Sequence, residues 1–299
     1  MRIDPNMVPS MLAILQQSQG TLNTALEQVS TGLSVNQPSD NPTAAASMVE
    51  NTIETGDVDE YTQNVSTSLA TVKQASSVLT SLVSSLTSAQ DAGIEGANGT
   101  SSAATMKIIA NQVQGILDAV ISDANSTVGG AYLFGGTSTA TPYTADATSP
   151  TGYTYNGNNQ TSTVAVGDQT SVAVNLPGSQ VFSNSSDNVI ASLSSLVTAL
   201  NSGDSSAVQT AVTAVGTAIS FVGQQQVFYS NAESQLSSQE TFLQQDTVTL
   251  TTQESNLIGV NESTAATDLS QAETDNNAAL AAVAKVLPNS LLNYLSTPS

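Results

Sequence analysis

Catalysis near neutral pH needs a base, a nucleophile or a ligand set, and this 299-residue chain contains no histidine and no cysteine. Those two absences remove the usual general base, the usual zinc ligands and every Cys-His or Ser-His pair together. What remains is 24 carboxylates against four bases, Arg2, Lys73, Lys107 and Lys285. The carboxylates that fall close in sequence are Asp57 with Asp59 and Glu60, and Glu273 with Asp275. Neither group has the loop glycine and ligand spacing of a calcium site, and residues one or two apart on a helix do not face each other, so both read as solvated surface. Lys73 or Lys107 beside a serine could form a Ser-Lys dyad, but no local motif sets one up. Gly129-Gly130 and Gly135-Gly136 lack the Lys-Ser/Thr of a phosphate loop and read as a helix end and a domain hinge. The chain is therefore expected to be no enzyme and to use no metal or cofactor.

Composition narrows the partners. Only 9% of residues are charged, where roughly 25% is ordinary, and the net charge is -20. That balance repels phosphate and anionic lipid and lacks the basic footprint of a nucleic-acid binder, so neither nucleic acid nor a membrane is expected as a partner. The apolar runs are far shorter than a membrane span, and Met1 to Ser10 has no core of a cleavable signal peptide. With a sequence pI near 4.1, an acidic external medium would discharge the surface and relieve repulsion between packed copies.

The elements that must position any function are helices. From Ile3 to Leu33 and from Leu257 to Leu295, apolar residues recur at steps averaging near 3.5 residues, the seam spacing of a coiled coil. At the front the steps fall on Met7, Met11, Ile14, Ser18, Leu22, Ala25 and Val29; at the back they fall on Leu269, Ala272, Asn276, Ala279, Val283, Val286 and Leu291. Asn41 before Pro42 is a helix start, and the stripe from Val49 to Leu86 predicts one very long helix, or two joined near Gly56. A turn at Asn98-Gly99-Thr100-Ser101 leads to an antiparallel third helix from Met106 to Ala124. Residues 131 to 182 are rich in Gly, Pro, Tyr and Thr, and the Gly167-Asp168 turn between two alternating segments predicts at least one β-hairpin. Helical spacing returns from Val189 to Leu200 and again from Val208 to Leu257.

The order of helices, β insert and helices predicts a mainly α fold: an elongated rod of long antiparallel helices, with paired terminal coiled-coil helices and a small inserted β domain. The expected domains are 1–41 with 257–299 for assembly, 42–130 with 187–256 for the helical rod, and 131–186 for the insert. The bare, weakly charged ends read as an interface first with each other and then with neighbouring subunits. Its candidate residues are Met7, Met11, Ile14, Leu22, Val29, Leu269, Ala272, Val283, Val286, Leu291, Leu292 and Leu295.

Specific stretches carry a family resemblance over nearly the whole chain. They are Met1-Arg2-Ile3; Val29-Ser30-Thr31-Gly32 followed by Pro38-Ser39-Asp40-Asn41-Pro42; Asn98-Gly99-Thr100; Tyr132-Leu133-Phe134-Gly135-Gly136 with Pro142-Tyr143; Tyr155-Asn156-Gly157; Asn175-Leu176-Pro177-Gly178 with Val181-Phe182; and Ser290-Leu291-Leu292-Asn293-Tyr294-Leu295. In this order the chain resembles the flagellin superfamily and, within it, the hook-associated protein 3 family of hook-filament junction proteins. One departure is that Leu33 and Ser34 stand where the family usually has a basic residue or two. The resemblance implies an extracellular structural part of the bacterial flagellum, exported through the flagellar type III apparatus without a cleaved signal peptide. The partners it implies are hook-associated protein 1 on the hook side, flagellin on the filament side, copies of the chain in a ring or helical layer, and a cytoplasmic export chaperone for the C-terminal helix. A short flagellin that forms the filament itself, and a secreted stalk or adhesin, are the alternatives.

Overall fold

The computed structural model describes residues 7–99, 101–184 and 188–295, with the side chains of residues 7, 8 and 286–295 outside that description. Seven helices, α1 (Met7–Thr31), α2 (Pro42–Ala97), α3 (Ala103–Ala124), α4 (Gly178–Val181), α5 (Val189–Ser202), α6 (Ser205–Ile258) and α7 (Glu262–Leu295), dominate the described residues. The strands are β1 (Thr127–Val128), β2 (Ala131–Tyr132), β3 (Tyr143–Ala145), β4 (Tyr153–Tyr155), β5 (Thr163–Gly167) and β6 (Thr170–Ala173). They pair as three separate two-stranded antiparallel hairpins. The fold is thus mainly α with small antiparallel strand pairs, as the residue pattern predicts.

Capping explains most helix limits. The Asn41 side-chain oxygen accepts the Ala44 N–H at 3.1 Å, with Pro42 at the first helical position. Gly56 meets nothing within 4 Å where a side chain would point, and α2 runs through it as one helix of 56 residues. Ser102 caps α3, Asn188 caps α5, and Gly203 closes α5 in the left-handed conformation. With only 9% charged residues, the long helices do not rest on salt bridges. Threonine hydroxyls instead donate back to the carbonyl four residues earlier, as at Thr62, Thr71, Thr80 and Thr87 on α2 and Thr210, Thr213, Thr217 and Thr241 on α6.

The chain divides into two compact units, Met1–Asp57 with Gln245–Ser299, and Val58–Gln244. The boundaries fall inside α2 and α6, and the β hairpins belong to the second unit. The hairpins pack on helices of their own unit. Asn64 on α2 donates to Ala165 O at 3.2 Å, and Gln239 on α6 donates to Val166 O at 2.9 Å.

Within the second unit α2 and α6 run antiparallel. Lys73 Nζ lies 4.0 Å from a Glu233 oxygen, Gln226 Nε2 donates to Thr80 Oγ1 at 3.4 Å, and a side chain at Gly93 would come within 2.6 Å of Val212. α3 and α5 pack together, and Leu196 and Leu200 of α5 sit over Gly93 and Gly96. Val65, Val72, Leu79, Leu86, Val113, Leu193, Val215, Val222 and Leu236 fill the core. α6 also holds an 18-residue window of mean hydropathy 1.3, long and apolar enough by length and composition to cross a membrane. No long apolar run announced it, since Ala, Ser and Thr share the window with valines; Val208, Val212, Val215 and Val222 are buried in the protein core.

The stretches that carry the family resemblance tie the β region together. Phe134 and Phe182 stack edge to face at 5.1 Å, with Tyr143 at 5.8 Å from Phe182 and 5.1 Å from Tyr155. Asn175 is buried and bonded at both ends of its amide: it accepts the Ser162 N–H at 2.7 Å and donates to Gly136 O at 2.9 Å. Gly178 N–H donates to Phe134 O at 2.7 Å, and any side chain there would strike Tyr155 and Tyr143. Gly129 and Gly130 are not a helix end. Both have positive φ, +59° and +84°, and form the two-residue turn between β1 and β2.

Candidate assembly interface

The acidic groups and lysines show no catalytic arrangement. Asp57, Asp59, Glu60, Glu273 and Asp275 are exposed, and Asp275 accepts from Gln271 at 2.9 Å. Lys107 is exposed on α3, while Lys73 faces Glu233 across an exposed pair. Among the described residues, no three His, Cys, Asp or Glu side chains gather as a metal site. Asp146 is held down to about 2 by the hydroxyls of Thr148 and Thr154 and the Thr148 N–H, which fix the β3–β4 loop. Burial pushes the Tyr143 and Tyr229 hydroxyls well above the ordinary phenol range, and both serve as structural hydrogen-bond groups. Tyr143 donates to Gly178 O at 2.9 Å, and Tyr229 accepts the Leu176 N–H at 3.1 Å.

The chain ends are the other candidate. α1 and α7 pack against each other in the first unit. On α7 the covered positions are Ala265, Leu269, Ala272, Asn276, Ala279 and Val283. From Leu269 onward these coincide with the seam read from the sequence. On α1 the covered positions are Met11, Leu15, Ser18, Leu22, Ala25 and Gln28. The structure therefore corrects the α1 seam at two places: Ile14 is 58% exposed and Val29 44% exposed. One residue turns a helix by about 100°, so Ile14 and Leu15 cannot share a face. The distinguishing signal was present, because 11, 15, 18, 22 and 25 alternate strictly in steps of four and three, whereas 11, 14, 18 and 22 do not. Met7, Val286, Leu291, Leu292 and Leu295 lie outside the described side chains.

This seam is thin. Three of its six described α7 positions are alanine, and each alanine methyl contributes on the order of 0.8 kcal/mol when buried. Ser18 Oγ is buried with no hydrogen-bond partner, and Asn276 is buried on the opposing helix. An unsatisfied buried hydroxyl costs about 1–3 kcal/mol. At the same time Leu12, Ile14, Leu26, Val29, Val49, Ile53, Val248 and Leu280 of this smaller unit are exposed, eight of the twelve exposed large apolar side chains described. α1 carries one charged residue, Glu27. A thin inner seam flanked by uncovered apolar side chains gains free energy by burial against a further apolar surface.

Residues 5–139 match the bacterial flagellin N-terminal helical region. Flagellar hook-associated protein 3 of Salmonella typhimurium is 30% identical over 165 residues, 55% of this chain and 51% of that protein. The Escherichia coli protein of the same name is 34% identical over 116 residues, 38% of this chain and 37% of that protein. The chain thus spans about half the length, or less, of these curated relatives. The fold matches that of a flagellar hook-associated protein from Vibrio parahaemolyticus with a TM-score of 0.67 at 18% identity, covering 74% of this chain and all of that one. These matches show the resemblance that the residues carry: the chain is similar to the flagellin superfamily and, within it, to flagellar hook-associated protein 3.

Proposed function

We propose that this protein is a non-catalytic structural component of the bacterial flagellum, an adapter at the hook-filament junction that assembles through its terminal helices. The observation that carries the reading is the α1–α7 pair, whose seam is too thin to hold two helices strongly yet is bordered by exposed Ile14, Leu26, Val29 and Leu280. Ordering a residue costs about 1–2 kcal/mol, so this pair gains its stability when several neighbours cover it at once. Assembly is then cooperative and confined to a growing end.

On this reading the chain connects a hook-side junction protein, hook-associated protein 1, to flagellin and stands beside copies of itself in a ring or helical layer. It reaches the cell exterior by flagellar export, with a cytoplasmic chaperone holding the C-terminal helix. The interface includes Met7, Met11, Ile14, Leu22, Val29, Leu269, Ala272, Val283, Val286, Leu291, Leu292 and Leu295. Deletion of the gene tests it: cells should keep their hooks and shed flagellin into the medium, and motile deletion cells with attached filaments would defeat the reading. A second reading, a short flagellin that forms the filament itself, is favoured by the match of residues 5–139 to the flagellin helical region. Deletion cells that export no filament protein at all would support that alternative.

A further inference from the structure

The end of α1 and the start of α7 are held by one short antiparallel bridge, Leu33 against Gly259. Ser34 directs both its N–H, at 2.6 Å, and its hydroxyl, at 3.0 Å, to the Ile258 carbonyl. Val260 N–H donates to Gly32 O at 3.0 Å, and Gln28, in the last turn of α1, reaches round to donate to Ser34 O at 3.3 Å. Glycine is needed on both sides of the approach. Gly32 has φ +74°, and a side chain at Gly259 would run into the Ser255 carbonyl. Immediately afterwards the Asn261 side chain accepts the N–H groups of Ser263 and Thr264 at 3.1 and 3.2 Å and so starts α7.

Helix nucleation is the costly step, and pairing two ends of a chain adds a loop-closure cost. The bridge bears on both, because it holds the last turn of α1 and the first turn of α7 side by side. The seam alanines of α7 recur every seven residues and distinguish weakly between one heptad alignment and the next, which leaves the buried Asn276 and this bridge as the features that fix register. We propose that Gly32–Ser34 and Ile258–Val260 form a clasp that sets the register of the terminal pair. Ser34 and Gly259 are then positioning residues through which both helices enter an assembly in one geometry. Their role in assembly rests on the function proposed above; their role in register does not.

The chain has no cysteine, so introduced pairs report register cleanly. At a rise of about 1.5 Å per residue, Leu22 and Leu269 lie level when measured from Leu33 and Gly259, while Asn276 is displaced by a heptad. Leu22→Cys is combined with Leu269→Cys or with Asn276→Cys in the full chain, and disulfide yield is measured under mild oxidation, which traps even transient docking. With the clasp intact, the level pair should dominate. Gly259→Val should bring the two yields to parity and Ser34→Ala part of the way, with Ser39→Ala as the unaffected control. Thermal unfolding of the helices of the second unit should not move in any of them, which separates lost register from general misfolding. A level-pair preference that survives both Gly259→Val and Ser34→Ala overturns the clasp. Collapsed preference with undiminished incorporation into flagella keeps the clasp as a register device and overturns its role in assembly, while the assembly reading itself stands.

Discussion

At the scale of single residues, this protein uses its few special groups to pack and tie rather than to react. Gly93 lies under Leu196 and Val212, with no room for a β-carbon. Gly93→Val is expected to destabilise the second unit by about 1–3 kcal/mol through overpacking, read as a lower urea midpoint. Tyr229 is expected to matter through its hydroxyl: Tyr229→Phe leaves the buried Leu176 N–H without its acceptor and should cost roughly 1–3 kcal/mol. The phenols also set an alkaline limit. Burial raises the folded-state values of Tyr143 and Tyr229 above their unfolded value. Their contribution is therefore complete below the ordinary phenol range and is lost as pH climbs toward the raised folded values. Absorbance titration of the tyrosines should show these two ionising only together with loss of the β region, and early ionisation of both would contradict the packing. Asp146 has the opposite sign, since its folded value is depressed; the order it gives the β3–β4 loop persists on acidification until pH approaches about 2.

At the scale of elements, the helices were legible from their periodicity and caps, and the seam of α7 from Leu269 to Val283 was legible in register. The α1 seam was legible only through the strict alternation of steps that selects Leu15, because Ile14 is an adjacent apolar residue that also gives three- and four-residue steps. The distinction has a measurable consequence. Leu15→Asp buries a charge in the pair and should reduce α1–α7 disulfide trapping in the free chain, whereas Ile14→Asp, placed on the exposed side, should leave trapping unchanged and abolish assembly into flagella. Equal effects of both on trapping would contradict the observed faces. The clasp was hidden for a different reason: the turn at Gly32 was readable, but its partner at Gly259 is a neighbour only in space. The glycine pair at Gly129-Gly130 reads from sequence as a helix end because two positive-φ glycines look alike at a helix end and in a tight hairpin until the strands beside them are seen.

At the scale of the whole molecule, the balance of charge is the dominant property. Twenty-four carboxylates face four bases, and the Lys73–Glu233 pair is half exposed at 4.0 Å. Removing both partners of that pair should change stability by no more than about 1 kcal/mol. Copies packed side by side repel one another at neutral pH, and the repulsion falls as carboxylates take up protons or as salt screens them. Polymer or layer formation is therefore expected to rise from pH 7 toward the pI near 4.1, and at fixed pH to rise with salt. Equal yield from pH 3 to 7 would remove the idea that the acidity is matched to an acidic medium. The limits of the two units fall inside α2 and α6, whose helical pattern runs on without a break there.

The threonines of the long helices have a consequence for how those helices meet water. Each hydroxyl that donates to the carbonyl a turn before it, as at Thr52, Thr71, Thr87, Thr210, Thr217 and Thr252, is withdrawn from water as a donor, so more of what these largely exposed side chains offer solvent is methyl. A surface that reads as polar from its composition is thus partly a lawn of methyls, oilier and less hydrated than the count of hydroxyls suggests. Replacing these threonines by serines would keep every polar atom and still make the protein more soluble.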